Sequence, residues 1–370
     1  MAFQIMAFIP GLELSRRFYW EAVRPVLEGP FSGLRHSAAL IGPGSETLGF
    51  DDEMSTDHGW GPRLQLFLRP NDWKNHAEGI DEALRDGLPH SFLGYPTNFS
   101  EPDPVDNGVQ LMEASAGGPV NHRVETQTVG RFFCGYLGID ISREIGAADW
   151  LTFPQQKLRT ITAGGIFHDE IGLESVRARF SWYPQDVWRY LLAAGWARIG
   201  QEEHLMGRAG LVGDELGSAL IASRLVRDVM RLCFLMERQY APYAKWFGSA
   251  FSQLESAAAL TDILMGVQRA STWQGRDRWL SEAYGVAAGR HNRLDLTEPM
   301  PESPINFFGR PFRVMALHGF ADALLQSVRD PKIMQLAKRR PIGSIDQFSD
   351  STDLLEATEL REPLRALYGP

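Results

Sequence analysis

In the segment IGPGSETLGFDDEMSTDHGWGPRLQLFL, residues 41–68, a Gly44-Ser45 turn precedes Asp51, Asp52, Glu53, Asp57 and His58, and an alternating apolar run begins at Arg63. Backbone N–H groups at a tight turn and helix start favour an anionic oxygen, and the Ser45 hydroxyl adds a donor. A carboxylate such as Asp57, held just before a strand, suits a hard cation: magnesium keeps several waters and shares the phosphate oxygens of a substrate. Arg63, following Gly61-Pro62, either reaches a phosphate or closes a hairpin against Asp51 or Asp52. A solvated loop would carry the same residue types, so the reading rests on the elements that position them.

Those elements divide the chain into two textures. Up to about Gly172, SAALIG and PRLQLFL read as strands, SETLGF as a short helix, DWKNHAEGIDEALRDG as a capped helix and NHRVETQTV as a strand. From Tyr183 onward the apolar period is helical through three long segments beginning at Pro184, Glu215 and Ser256, separated by Gly and Pro. The predicted fold is α+β: an α/β domain with a mixed sheet over residues 1–175, followed by a helical bundle with a C-terminal extension over 176–370. Residues 165–183, with Gly164-Gly165 and Phe-His-Asp-Glu-Ile-Gly, read as an irregular connector or hairpin that a protease would nick.

Composition bounds the function. With 370 residues, 44% of them apolar, the chain is long enough for two cores, and its net charge of −9 argues against wrapping a nucleic-acid backbone. Cys134 and Cys233 each lie in an apolar or aromatic run and read as buried, reduced thiols. No window approaches the ~18 apolar residues of a membrane span, and the N-terminus lacks the basic start of a signal peptide. These features place the protein in the cytoplasm.

An apolar strand, Gly-Ser, a spacer of about ten residues and a carboxylate opening the next strand resemble the signature of the nucleotidyltransferase superfamily. GSETLGFDDEMSTDHGWGPRLQLF, RLVRDVMRLCFLMERQYAPYAKWFGSAF and HNRLDLTEPMP are similar, more narrowly, to a two-domain branch found in bacteria and fungi, marked by Asp-His-x-Trp-Gly. The resemblance implies an enzyme that uses Mg2+ or Mn2+ to move a nucleoside monophosphate from a triphosphate, such as ATP, to a hydroxyl of an acceptor, a small molecule in the first instance. It implies triphosphate contacts from Gly44, Ser45, Tyr243 and Lys245, which Arg63 joins if it reaches a phosphate, a metal on Asp57, and a base at Glu125 in the strand RVETQTV. One insertion in the spacer sets Asp57 at the first metal position; an ungapped alignment sets Thr56 there. The second carboxylate position falls on Gly59, so either Asp51, Asp52 or Glu53 supplies that ligand, or metal is bound weakly, or the protein is a catalytically reduced nucleotide-binding sensor or partner-binding protein.

Other residue groups read as structural. Arg224, Arg231 and Arg238 form a helical stripe with Asp228 placed to pair with the first two. His168-Asp169, Glu202-Glu203-His204 and His291-Asn292 each lack a second histidine at ligand spacing, which disfavours zinc. Trp182, Tyr183, Trp188 and Trp196 read as an aromatic seam between domains.

Overall fold

A computed structural model describes residues 8–369 except His58 and Asn107; nothing is described of the Asp57 side chain. Two compact units are present, one made of Met1–Glu144 and Lys157–Ser181, the other of Ile145–Gln156 and Trp182–Pro370. The class is α+β, with a mixed sheet in the first unit and a helical second unit.

The first unit is built on strands β1 (His36–Leu40), β2 (Arg63–Leu68), β5 (Arg123–Thr128) and β6 (Gly165–Asp169), in the order β5-β2-β1-β6. The short hairpin of β3 (Ser91–Phe92) and β4 (Tyr95–Pro96) stands apart from it. β1 is antiparallel to β2 and β6, whereas β2 and β5 run parallel in the register Arg63↔Arg123 and Gln65↔Glu125. Helix α4 (Pro70–Gly87) makes the crossover between the parallel strands, with Pro70 in its first turn, where a missing N–H costs nothing.

Successive strand residues face opposite sides. Ala38, Leu64, Leu66, Leu68 and Val124 therefore share one face, packed with Leu14, Phe18, Tyr19 and Val23 from the chain of α1 (Gly11–Phe18) and the π-turn Tyr19–Val23, and with Ile80 and Leu84 of α4. The other face carries Arg63, Gln65, Arg123 and Glu125 toward one end and Phe67 toward the other. There Phe67 meets Phe132 of α5 (Val129–Leu137) edge to face. Gly165–Asp169 is thus an edge strand, not the connector expected from its glycines. A Cβ on Gly164 would fall 2.2 Å from the Leu40 carbonyl, so this glycine is packed against β1 rather than looped out.

The second unit is dominated by α9 (Gln185–Leu211), α10 (Glu215–Met236), α12 (Ala257–Arg269) and α13 (Trp273–Asn292). Asp214 and Thr272 cap α10 and α13 by accepting from the N–H groups of Gly217 and Gly275. Trp188, Trp196 and Tyr183 are buried within this unit: Trp188 donates Nε1–H to the Leu235 carbonyl at 2.7 Å, and Trp196 stacks on Phe320. Among the described residues, no helix is long and apolar enough to cross a membrane. Cys233 is buried as expected, but Cys134 is exposed on α5, because the aromatic residues around it turn the opposite side of that helix inward.

Candidate functional site

β1 leads into a turn held from several sides. The Gln65 amide clamps Ile41 by accepting from its N–H at 3.1 Å and donating to its carbonyl at 2.8 Å. Gly42 N–H donates to Thr160, and the Thr47 hydroxyl donates to the carbonyls of Gly42 and Gly44. Gly44 has φ 139°, a conformation that suits glycine, and a Cβ there would lie 2.6 Å from Nη2 of Arg63. Ser45 opens α3 (Ser45–Leu48), a single helical turn, and its hydroxyl makes no hydrogen bond among the described residues.

Arg63 does not pair with Asp51 or Asp52. Its Nε donates to Glu46 at 2.8 Å, Nη2 bonds the same carboxylate, and Nη2 also donates to the Pro43 carbonyl at 2.7 Å. The one-turn helix aims Glu46 back across the turn, which makes this short-range partner available before either aspartate. With both side chains nearly withdrawn from water, the pair locks the turn to the start of β2.

Asp51 and Asp52 in the acidic segment are likewise bonded, whereas the exposed Glu53 carboxylate has no bonded partner among the described residues. One oxygen of Asp51 accepts from Gly11 N–H at 2.6 Å and from Trp60 Nε1–H at 2.9 Å, tying the first helix to the segment. Asp52 accepts from Met54 N–H at 3.0 Å and from the Ser55 hydroxyl, an Asx turn that starts the 3-10 helix Glu53–Asp57. Asp57 closes that helix; its side chain and His58 lie outside the described residues. Gly59 follows at φ 61°, its N–H donating to the Gln110 carbonyl at 3.0 Å, and a Cβ there would lie 3.1 Å from Nη1 of Arg123.

Arg123 is the residue that the sequence reading passed over. Parallel register sets it beside Arg63 at the start of the neighbouring strand. Burial first, and then the positive charge of Arg63, lowers its pKa, and the compensation it receives is thin. Its one carboxylate partner among the described residues is Glu125, at a loose 3.5 Å and itself more than half exposed. A signal was present: each of the two segments read as strands, PRLQLFL and NHRVETQTV, carries an arginine near its start. Glu125 does lie on the strand expected for it, opposite Gln65, with its side chain toward solvent.

Tyr243 and Lys245 belong to the helical unit. Tyr243 precedes the 3-10 turn Ala244–Trp246, and Lys245 is exposed with its ammonium 4.8 Å from the Trp246 ring centroid. The arginine stripe is structural, although with other partners than expected. Arg224 bonds Glu202, Arg231 bonds Asp350 and the Asp346 carbonyl, and Arg238 lies over Trp188. Asp228 makes its close ion pairs with Arg198 and Arg227, and the Arg231 charge acts on it from farther away; Arg224 pairs elsewhere.

His168 does have a second histidine near it. It comes from β1, not from neighbouring sequence: the His36 and His168 ring centroids are 4.8 Å apart.

Residues 150–247 match the family model described as Domain of unknown function (DUF4037). No curated protein matches the chain. A nucleotidyltransferase-like protein from Exiguobacterium sibiricum is similar in structure over 74% of this chain and 78% of its own, at 8% identity and a TM-score of 0.29. Likeness of that degree is too slight to carry any residue's role from one protein to the other.

Proposed function

We propose that the first unit binds a nucleoside triphosphate on a nucleotidyltransferase-like scaffold and meets its phosphate charge mainly with guanidinium groups. The observation that carries this reading is Arg123, a partly buried cation with one loose carboxylate partner and the Phe99 ring centroid 5.8 Å away, set beside Arg63 and next to the Gly59 backbone. A guanidinium presents five donors in a planar fork that matches phosphate oxygens. Most of those donors are uncommitted among the described residues, and the free Ser45 hydroxyl on the turn clamped by Arg63 offers one more.

The described carboxylates of this loop make a poor magnesium or manganese cradle: Glu53 alone, exposed on the 3-10 helix, has both oxygens unbonded among the described residues, and Asp51 and Asp52 each keep a single oxygen unbonded. Asp51 is bonded to Gly11 and Trp60, Asp52 starts the 3-10 helix, Glu46 is paired to Arg63, and the second carboxylate position is a glycine with Arg123 beside it. A nucleotide-binding protein with little or no transfer activity is accordingly favoured, a sensor or partner-binding role being one form of it. Titration calorimetry with a non-hydrolysable triphosphate in excess chelator tests this, and binding should persist without divalent ions. Binding seen with Mg2+ and abolished by chelator would oppose the reading.

Transfer to a hydroxyl is the second reading, favoured by Glu125, which projects on the same face as Arg123 from the strand beside β2 and is open to solvent as a base must be. Incubation with each triphosphate, Mg2+ or Mn2+ and a metabolite extract, followed by a mass search for nucleotidyl adducts, decides between the two.

A further inference from the structure

We infer that His36, His168 and Glu170 form a binding site for a divalent transition metal of the zinc type, on the opposite face and at the opposite end of the sheet from the arginine pair. The placement follows from register. Ser37 pairs with Asp169, and Glu170 N–H donates to the His36 carbonyl at 3.1 Å, so positions 36 and 170 face each other across the β1–β6 edge. Alternation then puts 168 on the same side as 170. One donor atom from each of the three side chains lies within 4.8 Å of the others, and His168 Nε2 is already 3.2 Å from Glu170 Oε2.

Asp169, between them, points to the other face. Its carboxylate is taken up by the Ser37 hydroxyl and the N–H groups of Gly172, Leu173 and Glu174, so it fixes the strand end and leaves ligation to its neighbours.

Two observations besides clustering point to a metal. The first is that His36 is oriented as ligating histidines are: Nδ1 lies 3.0 Å from the Leu34 carbonyl, which selects the tautomer with its lone pair on Nε2. That lone pair accepts from the Tyr19 hydroxyl at 2.9 Å, a bond that an ion would replace. The second is a cavity of about 400 Å³ beside the three side chains, lined also by Leu27, Phe31 and the Arg24–Glu28 ion pair, which leaves a coordination position open to a small ligand. Two imidazoles and one carboxylate suit zinc, cobalt or nickel better than magnesium or calcium. Ligand atoms ~2.1 Å from a tetrahedral ion are ~3.4 Å apart, so the widest pair must close by roughly 1–1.5 Å. The part-exposed His168 and Glu170 side chains can supply that movement by rotation.

The test uses the full chain stripped of metal. Titration with Co2+ should give visible d–d bands saturating at about one equivalent, persisting in millimolar Mg2+ and bleached by Zn2+. His168→Gln and Glu170→Gln should each weaken Zn2+ binding by about a hundredfold or more, since losing even an outer partner of a ligand costs on the order of 10–100-fold. Thermal melting of each variant verifies the fold; Glu170→Gln, half-exposed, keeps the test valid if a histidine variant fails to fold. Wild-type protein that gives no cobalt bands and retains no Zn2+ on dialysis would overturn the site. So would either folded variant binding Zn2+ as wild type does.

Discussion

Replacing Gly59 by aspartate separates two accounts of the loop before β2. In the metal account the new carboxylate completes a pair with Asp57, so divalent binding tightens. The structure places a different group there, because a Cβ on Gly59 would lie 3.1 Å from Nη1 of Arg123. The φ of 61° makes any L residue cost about 1–2 kcal/mol, aspartate toward the low end. A hydrogen-bonded ion pair with Arg123 returns about 1.5–3 kcal/mol. Stability of Gly59→Asp, read from denaturant midpoints, should therefore match wild type or exceed it by up to about 2 kcal/mol. Triphosphate affinity should fall by about ten- to a hundredfold, because the guanidinium meant for phosphate is now occupied. Gly59→Ala, which adds the backbone cost without the charge, should lose stability and keep affinity. Tighter Mg2+ binding by Gly59→Asp with unchanged nucleotide affinity would refute the assignment of Arg123 to phosphate.

Glu46→Gln breaks a nearly buried ion pair and leaves Arg63 uncompensated, so it should lower unfolding free energy by about 3 kcal/mol in urea titration; a loss under ~0.5 kcal/mol would mean the turn does not depend on it. His291, buried in the helical unit with Nδ1 accepting from Trp196, has its pKa pushed down to about 4. The unfolded chain takes up that proton first, so the stability from neutral His291 is complete above pH ~6.5 and lost as pH falls toward 4. His291→Gln should flatten this acid limb by up to about 3 kcal/mol, and an unchanged slope would exclude His291 as its source. A thiol reagent under native conditions should modify exposed Cys134 and spare Cys233, whose pKa burial pushes up to about 12; two rapidly reacting thiols would contradict that packing.

Local pattern made the fold legible where it was strong. RLQLFL alternates and became β2 over the same residues; SETL, following Gly44, became one helical turn; and the long apolar periods after Tyr183 became α9, α10 and α12. What stayed hidden was non-local. GIFHD is short and flanked by glycine, and its identity as a strand depends on pairing with β1, whose residues lie more than a hundred positions earlier. His36 and His168 meet through that same pairing, so no ligand spacing within a segment could reveal them. Arg63 was placed correctly at the start of its strand, but choosing Glu46 over Asp51 required knowing how the α3 turn aims its carboxylate. Asp51 was committed to a helix N–H and an indole, partners that distance in sequence concealed. Arg123 became conspicuous through the parallel register that put two guanidinium groups side by side.

The central claim is that Arg123 is the cation that receives phosphate. Its most direct measurement is the affinity of the purified full chain and of Arg123→Gln for a non-hydrolysable triphosphate, by calorimetry in chelator at fixed ionic strength. Removing a hydrogen-bonded charge from a bound anion should weaken binding by about ten- to a hundredfold. The variant should fold at least as well as wild type, since it relieves a partly buried positive charge crowded by Arg63. Equal affinity for both proteins, or no saturable binding by wild type, would contradict the account.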